Sequence, residues 1–269
     1  MSRRPHFLLT NDDGIHAPGI NSLWKVLHDA DIADLTIIAP SVERSGTGVS
    51  ITWDRPMHIQ EMEWSHNTPA WAIDGTPADC VKLGIRVILE RKVDMVISGI
   101  NAGSNAGRNL LHSGTVGAAI EGIFRGIPSI AFSCEDGDNP NFHVAEKYIV
   151  PIVQYMLENP FDDQTLLNVN FPHAAQDKVE GFKLTKQGKG RWAENPYLHN
   201  KTEFGSSYWL GGKPDELIED PDCDIALLRK GYMTAVPIRA AELTNYDALR
   251  ERRENFENFF LKKIPDYAI

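Results

Sequence analysis

Compact apolar runs recur along this chain, and each ends in small, polar or acidic residues: HFLLTNDDG (6–14), LTIIAP (35–40), VDMVISGIN (93–101), PSIAFS (128–133) and LLNVNFP (166–172). Continuous apolar runs of this length predict strands buried on both faces. Between them lie segments of helical period. Ile20, Leu23, Trp24 and Leu27 follow Pro18, whose fixed φ suits a first helical turn. DGTPADCVKLGIRVILERK reads as a turn feeding a helix, and Val116, Ala119, Ile120 and Ile123 make one face of a helix over 115–125. Residues 142–157 read as helical, with Pro151 expected to kink the helix or mark its restart. Strands alternating with helices predict an α/β fold: a Rossmann-like, mostly parallel sheet with helices on both faces.

The rhythm weakens after about residue 182. From 183 to 222 Gly, Pro, Trp and Tyr are frequent without helical period, which predicts hairpins or an extension that packs on a partner subunit. CDIALLRKGYMTAVPI predicts a helix or a strand pair with a glycine turn. YDALRERRENFENFFLKKI predicts an amphipathic helix burying Leu249, Phe256, Phe259 and Phe260. The expected division is a catalytic core over 1–182 and a C-terminal extension with hairpins and a helix over 183–269, integrated with the core and used in oligomerisation.

Charge and cysteine content narrow the function classes. With 27 Lys+Arg against 37 Asp+Glu, the net charge of −10 argues against general affinity for nucleic-acid polymers or anionic membranes. An acidic protein that handles phosphates needs a local cation. The three cysteines, Cys80, Cys134 and Cys223, are far apart and odd in number, which fits a reducing cytoplasm rather than a disulfide framework. The apolar stretch behind Arg3 and Arg4 is too short for a signal segment, and no run is long enough to span a membrane.

Asp12 and Asp13 close the first apolar run, at the strand end where parallel α/β folds place ligands. Hard cations such as Mg²⁺ and Mn²⁺ prefer oxygen ligands and commonly need only one or two carboxylates. Two other strand ends carry neutral oxygen donors in small-residue loops, Ser45 in RSGTG and Asn101 in SGINAG. Each has a plainer reading: an Asx turn or helix cap at Asp12–Asp13, a turn hydroxyl at Ser45, a cap or left-handed residue at Asn101. Ser113, Gly114 and Thr115 open a helix whose free N–H groups favour an anion, or else simply cap it.

Other motifs are excluded. AIDGTPAD lacks the first Asp of a DxDGT nucleophile loop, and no strong strand is expected before it. No GKS or GKT follows a glycine loop, and no GxGxxG follows the first strand, so neither a P-loop nor a nicotinamide dehydrogenase is indicated. The histidines form no HExxH or HxH pair, although His16 and His112 lie near the expected site.

TNDDGIHAPGI, the APxxERSG loop, DGTPADCV, VISGINAGSNAG, SGTVGAAIEG and NVNFP together resemble the SurE (survival protein E) nucleotidases, densely over the first two thirds of the chain. The resemblance implies a phosphoric monoester hydrolase acting on nucleoside 5′- and 3′-monophosphates, with short polyphosphate a further substrate in some members. It implies one divalent metal ion per subunit, Mg²⁺ or Mn²⁺, held by Asp12, Asp13, Ser45 and Asn101. It also implies a homodimer or homotetramer with exchanged C-terminal elements. On this expectation Asp12 and Asp13 are catalytic, while Asn11, Asn105, Ser113, Gly114 and Thr115 hold the substrate. Asp13 is the expected group to orient water for direct in-line attack. Two positions depart from the family pattern: Arg108 and Asn109 stand where acidic residues are common, and AVPI (235–238) stands where a TP pair is common. A non-catalytic, metal-dependent nucleotide-binding regulator would use nearly the same ligands and is the alternative reading.

Overall fold

The computed structural model describes residues 3–135, 142–161, 164–173, 179–191, 195–210, 218–240 and 242–263. In chain order the elements are β1 (His6–Thr10), α1 (Pro18–Ala30), β2 (Asp34–Pro40), β3 (Ile59–Met62), β4 (Ala70–Ile73), α2 (Pro77–Leu83), β5 (Met95–Ala102), α3 (Gly114–Ile123), β6 (Ser129–Cys134), α4 (His143–Glu158), β7 (Thr165–Phe171), β8 (Gly181–Leu184), β9 (Tyr197–Thr202), β10 (Gly205–Trp209), α5 (Asp224–Leu228), β11 (Tyr232–Arg239) and α6 (Tyr246–Lys263).

A nine-stranded sheet carries the fold, in the order β3-β4-β2-β1-β5-β6-β7-β11-β8. The six strands from β4 to β7 in that order are parallel to one another; β3 runs antiparallel to β4 and β11 antiparallel to β7. Every residue of β1, β6 and β7 is buried, in keeping with their largely apolar runs, and the polar residues among them, such as Ser133, Asn168 and Asn170, are buried too. Alternation along β1 divides the core: Phe7 and Leu9 pack with Ile20, Leu23 and Leu27 of α1 and Ile149 and Val153 of α4, whereas Leu8 packs with Val81 of α2 and Ala118 of α3. Helices therefore cover both faces, as the sequence predicts.

Chain order reverses at β1. The chain moves outward from β1 through β2 to β4, then returns to lay β5 on the other side of β1 and moves away through β6 and β7. The crevice beyond the carboxyl ends of β1 and β5 is thus the topological switch point, where open α/β sheets bind ligands.

Several elements differ from expectation. α4 runs through Pro151 as one helix; Pro151 lies on its exposed side, away from the buried Ile149 and Val153. The helix predicted after DGTPAD ends at Leu83 and continues only as a π-helical turn, Gly84–Ile88. A strand, β4, does precede Asp74, contrary to expectation, and β3 pairs with it. CDIALLRKGYMTAVPI resolves into the short α5, a turn at Gly231 and β11.

The extension is divided in its packing. β11 inserts between β7 and β8, inside the main sheet, while β9 and β10 form a separate antiparallel hairpin whose residues are all exposed. The predicted amphipathic helix is present as α6, but it buries nothing against this chain: Phe256 is 65% and Phe259 56% exposed. Parts of the predicted extension, at 192–194, 211–217 and 264–269, lie outside the described residues. Among the described residues no helix is long and apolar enough to cross a membrane.

Candidate active site

The site begins where β1 stops. Gly14, at φ +98, turns the chain back, and Asn11 fixes that turn by donating from Nδ2 to the Gly14 carbonyl at 2.8 Å. Asn11 is fully buried, and its Oδ1 has no partner. The two acids leave the turn in different directions. Asp12 points inward, where its carboxylate accepts from the Thr115 hydroxyl and the backbone N–H groups of Gly114 and Thr115. Asp13 accepts from the Ala102 amide at the end of β5, 3.2 Å away, and lines a cleft of about 490 Å³. The amides that open α3, expected from sequence to hold an anion, thus face the Asp12 carboxylate.

Electrostatics at this pair disfavour two bare charges. Burial pushes the Asp12 carboxyl up, against the opposing hydrogen bonds from Thr115 and Gly114. Burial also pushes Asp13 up, to about 6, helped by the charges of Asp12 and Glu43 and opposed by the Ala102 amide.

His16 reaches the same cleft from the turn between β1 and α1, and Ser45 and Glu43 reach it from the loop after β2. Ser45 donates to Glu43 Oε1 at 2.8 Å. This loop is held by its backbone: the Arg44 amide donates to the Asp12 carbonyl at 2.7 Å and the Gly48 amide to the His112 carbonyl at 2.9 Å. Gly117 allows the approach, since a Cβ there would stand 2.1 Å from the Gly48 carbonyl oxygen. Asn101, beside Ala102, donates from Nδ2 to the Gly103 carbonyl at 2.8 Å, which leaves its oxygen end as the donor toward a cation.

Of the four expected ligands, Asp13 and Ser45 line the cleft directly, while Asp12 and Asn101 are the chain neighbours of the lining residues Asp13 and Ala102; all four offer hard oxygen donors, with excess negative charge. That chemistry fits Mg²⁺ or Mn²⁺. Among the described residues no three His, Cys, Asp or Glu side chains group for metal binding, so a cation held here would need the neutral oxygens as well.

A polar row crosses the sheet edge beside these residues. Asn101, Ser133, Asn170 and Thr234 are register partners on β5, β6, β7 and β11. Asn105 is locked into this row: its amide donates to Asn170 Oδ1 and its Nδ2 to Ser133 Oγ, both at 2.8 Å, while Asn168 Nδ2 donates to its carbonyl at 3.0 Å. Sequence reasoning named Asn105 but not Ser133, Asn168 or Asn170. The signal was there, since two asparagines interrupt the otherwise apolar LLNVNF.

The remaining candidates have structural duties. Asp79 of DGTPAD forms a capping box with Thr76 and accepts from the Thr52 amide; Asp74 accepts from Arg55 and the His58 amide. His16 is exposed at the cleft, and exposed His112 contributes its carbonyl to Gly48. Arg108 is bound through its amide to the Gly190 carbonyl at 3.0 Å. Ser113 caps α3 by accepting from the Val116 amide.

Comparison with known proteins identifies the family. A family model described as "Survival protein SurE" matches residues 7–194. The chain is 48% identical over 261 residues to a protein named 5′-nucleotidase SurE from Protochlamydia amoebophila (strain UWE25), covering 96% of this chain and 99% of the relative. It is 41% identical over 249 residues to 5′-nucleotidase SurE from Pelotomaculum thermopropionicum, covering 92% and 93%. The crystal structure of the SurE protein from Aquifex aeolicus superimposes with a TM-score of 0.79 at 37% identity, covering 94% of this chain and all of that one. With the acids, the polar row and the switch point in the arrangement described, and matches that run nearly end to end, this chain belongs to the SurE family.

Proposed function

We propose that this protein is a divalent-metal-dependent nucleotidase that hydrolyses nucleoside 5′- and 3′-monophosphates to nucleoside and phosphate, with short polyphosphate as a further substrate class. The observation that carries this reading is the pair Asp12–Asp13 at the switch point, one acid buried against the first turn of α3 and the other lining the adjoining cleft. Relatives matched over nearly their whole length bear the name 5′-nucleotidase SurE.

Asp12, Asp13, Ser45 and Asn101 are the proposed ligands of one Mg²⁺ or Mn²⁺ per subunit. When bound, such an ion offsets the charge of a phosphate and makes water more acidic. Asp12 is held rigid by Thr115, so its role is fixed charge. Asp13, reached from the cleft, orients the attacking water. Both carboxylates are committed to ligation and hydrogen bonding, which favours direct in-line attack over a phospho-aspartate. Asn11, Asn105, Ser113, Gly114 and Thr115 are the proposed substrate-side residues; Asn105 is held by Ser133 and Asn170, while Ser113 and Thr115 already cap α3 and seat Asp12, so their part is to shape the site rather than to offer free donors. The exposed faces of α6 and the β9–β10 hairpin support a homodimer or homotetramer with exchanged C-terminal elements. Three unpaired cysteines support a cytoplasmic setting.

The test is phosphate release from AMP, GMP, their 3′ isomers and short polyphosphate, after EDTA treatment and with Mg²⁺ or Mn²⁺ restored. Metal-restored release from the monophosphates is the expected result. Metal-restored nucleotide binding without release would favour the regulator.

A further inference from the structure

The C-terminal part of the chain reaches back to the site through one buried carboxylate. Asp224, the first residue of α5, is fully buried. Its Oδ2 accepts from the Gly107 amide at 2.9 Å, and its Oδ1 accepts from the amides of Gly188 at 2.7 Å and Ile225 at 2.8 Å. Two more bonds join the same segments: Gln187 Nε2 donates to the Gly107 carbonyl at 2.7 Å, and the Arg108 amide donates to the Gly190 carbonyl at 3.0 Å. Both peptide groups of Gly107 are therefore fixed by residues some 80 to 117 positions downstream.

Gly107 opens the 3-10 turn Gly107–His112, which leads directly into Ser113 and α3. The far end of the turn holds the Ser45 loop, because the His112 carbonyl accepts from the Gly48 amide at 2.9 Å. Its near end follows Asn105. A shift of this turn would reach three parts of the site together: Asn105, the Ser45 loop and the first turn of α3 that seats Asp12.

We propose that Asp224 is a positioning residue for catalysis: by clamping Gly107 it fixes the Gly107–His112 turn and, through it, the Ser45 loop and the Asp12 seat. The inference rests on the nucleotidase reading for its kinetic consequence, though not for its mechanical one. A carboxylate suits the task because it presents only acceptors to three amide donors. An asparagine of the same shape must turn an NH₂ toward one of those N–H groups.

The experiment compares full-length wild type, Asp224→Asn and Gln187→Ala by hydrogen exchange with mass spectrometry and by phosphate release across Mn²⁺ concentrations. Exchange over 103–115 and 44–49 should quicken in Asp224→Asn while that of β1, β5 and β6 stays as in wild type. The kcat/KM for nucleotide should fall about tenfold or more, and half-saturating Mn²⁺ should rise, since small misplacement of reacting groups is costly. Gln187→Ala, which removes one bond and spares the buried carboxylate, should move both readouts the same way but less; it decides the matter if Asp224→Asn does not fold. Faster exchange confined to 186–190 and 223–228, or unchanged kinetics with a loosened 103–115, would overturn the proposal. If wild type released no phosphate, the nucleotidase reading would fail, and the exchange comparison would still decide whether Asp224 clamps the turn.

Discussion

Thr115 donates its hydroxyl to the buried carboxylate of Asp12, joining the first turn of α3 to the exit of β1 across 103 positions of sequence. The bond explains why an acid can end a fully buried strand: the carboxylate leaves water but gains a hydroxyl and helix-start amides. Thr115→Val keeps the branched shape and removes the donor. Hydrogen bonds to charged groups contribute about 1.5–3 kcal/mol, so the urea midpoint should drop accordingly and metal-supported turnover should fall tenfold or more. Unchanged turnover in a folded Thr115→Val protein would remove Thr115 from the account.

Gly117 sets how closely the Ser45 loop approaches α3. In Gly117→Ala the new Cβ would meet the Gly48 carbonyl oxygen, now 2.1 Å from that position. Overpacking of this kind costs about 1–3 kcal/mol, and relief requires the loop to move away. Denaturant unfolding should show the loss, and half-saturating Mn²⁺ should rise with it; stability and metal response both at wild-type level would show that the loop is not pinned there.

Acidification should stabilise the metal-free chain through Asp13. Its carboxyl is raised to about 6 in the folded state, above the ordinary aspartate value of 3.8. Between those two values the folded state holds a proton that the unfolded chain has released, so this group's contribution to stability grows as pH falls. EDTA-treated wild type should lose this gain on conversion to Asp13→Asn, as thermal melts between pH 7 and pH 5 can show. Protons and metal compete for the same oxygens, so half-saturating Mn²⁺ should rise below about pH 6. Parallel melting curves for wild type and variant would contradict the assignment.

The C-terminal helix predicts association. Phe256, Phe259 and Phe260 of α6 and Tyr208 and Trp209 of β10 are all exposed on a single chain. Aromatic surface on this scale is normally covered by a partner. Light scattering should give a mass of two or four chains of 30.1 kDa; a monomer at micromolar concentration would count against exchanged C-terminal elements.

What could be read from sequence follows from range of interaction. β1, β5, β6 and β7 stood out because strands buried on both faces need continuous apolar runs, and the acids Asp12 and Asp13 stood out because they end one. β3 and β4 did not: each has four residues, and the half-exposed IQEM carries too little pattern to distinguish it from a loop. The aromatic face of α6 was legible, but not its lack of cover within the chain. The polar row was less visible, because Asn101, Ser133 and Asn170 meet only through strand register. Asp224 lay deeper still, since nothing local distinguishes an Asp opening a short helix from one that clamps Gly107, 117 positions upstream.

The central claim, that Asp12 and Asp13 build a metal-dependent phosphomonoesterase site, is tested most directly by Asp13→Asn beside wild type. Both would be stripped with EDTA, restored with Mn²⁺ and followed for phosphate release from AMP. The account predicts metal-restored release by wild type and none by a variant that retains its fold. Phosphate release by Asp13→Asn at the wild-type rate, or by wild type without metal, would contradict it.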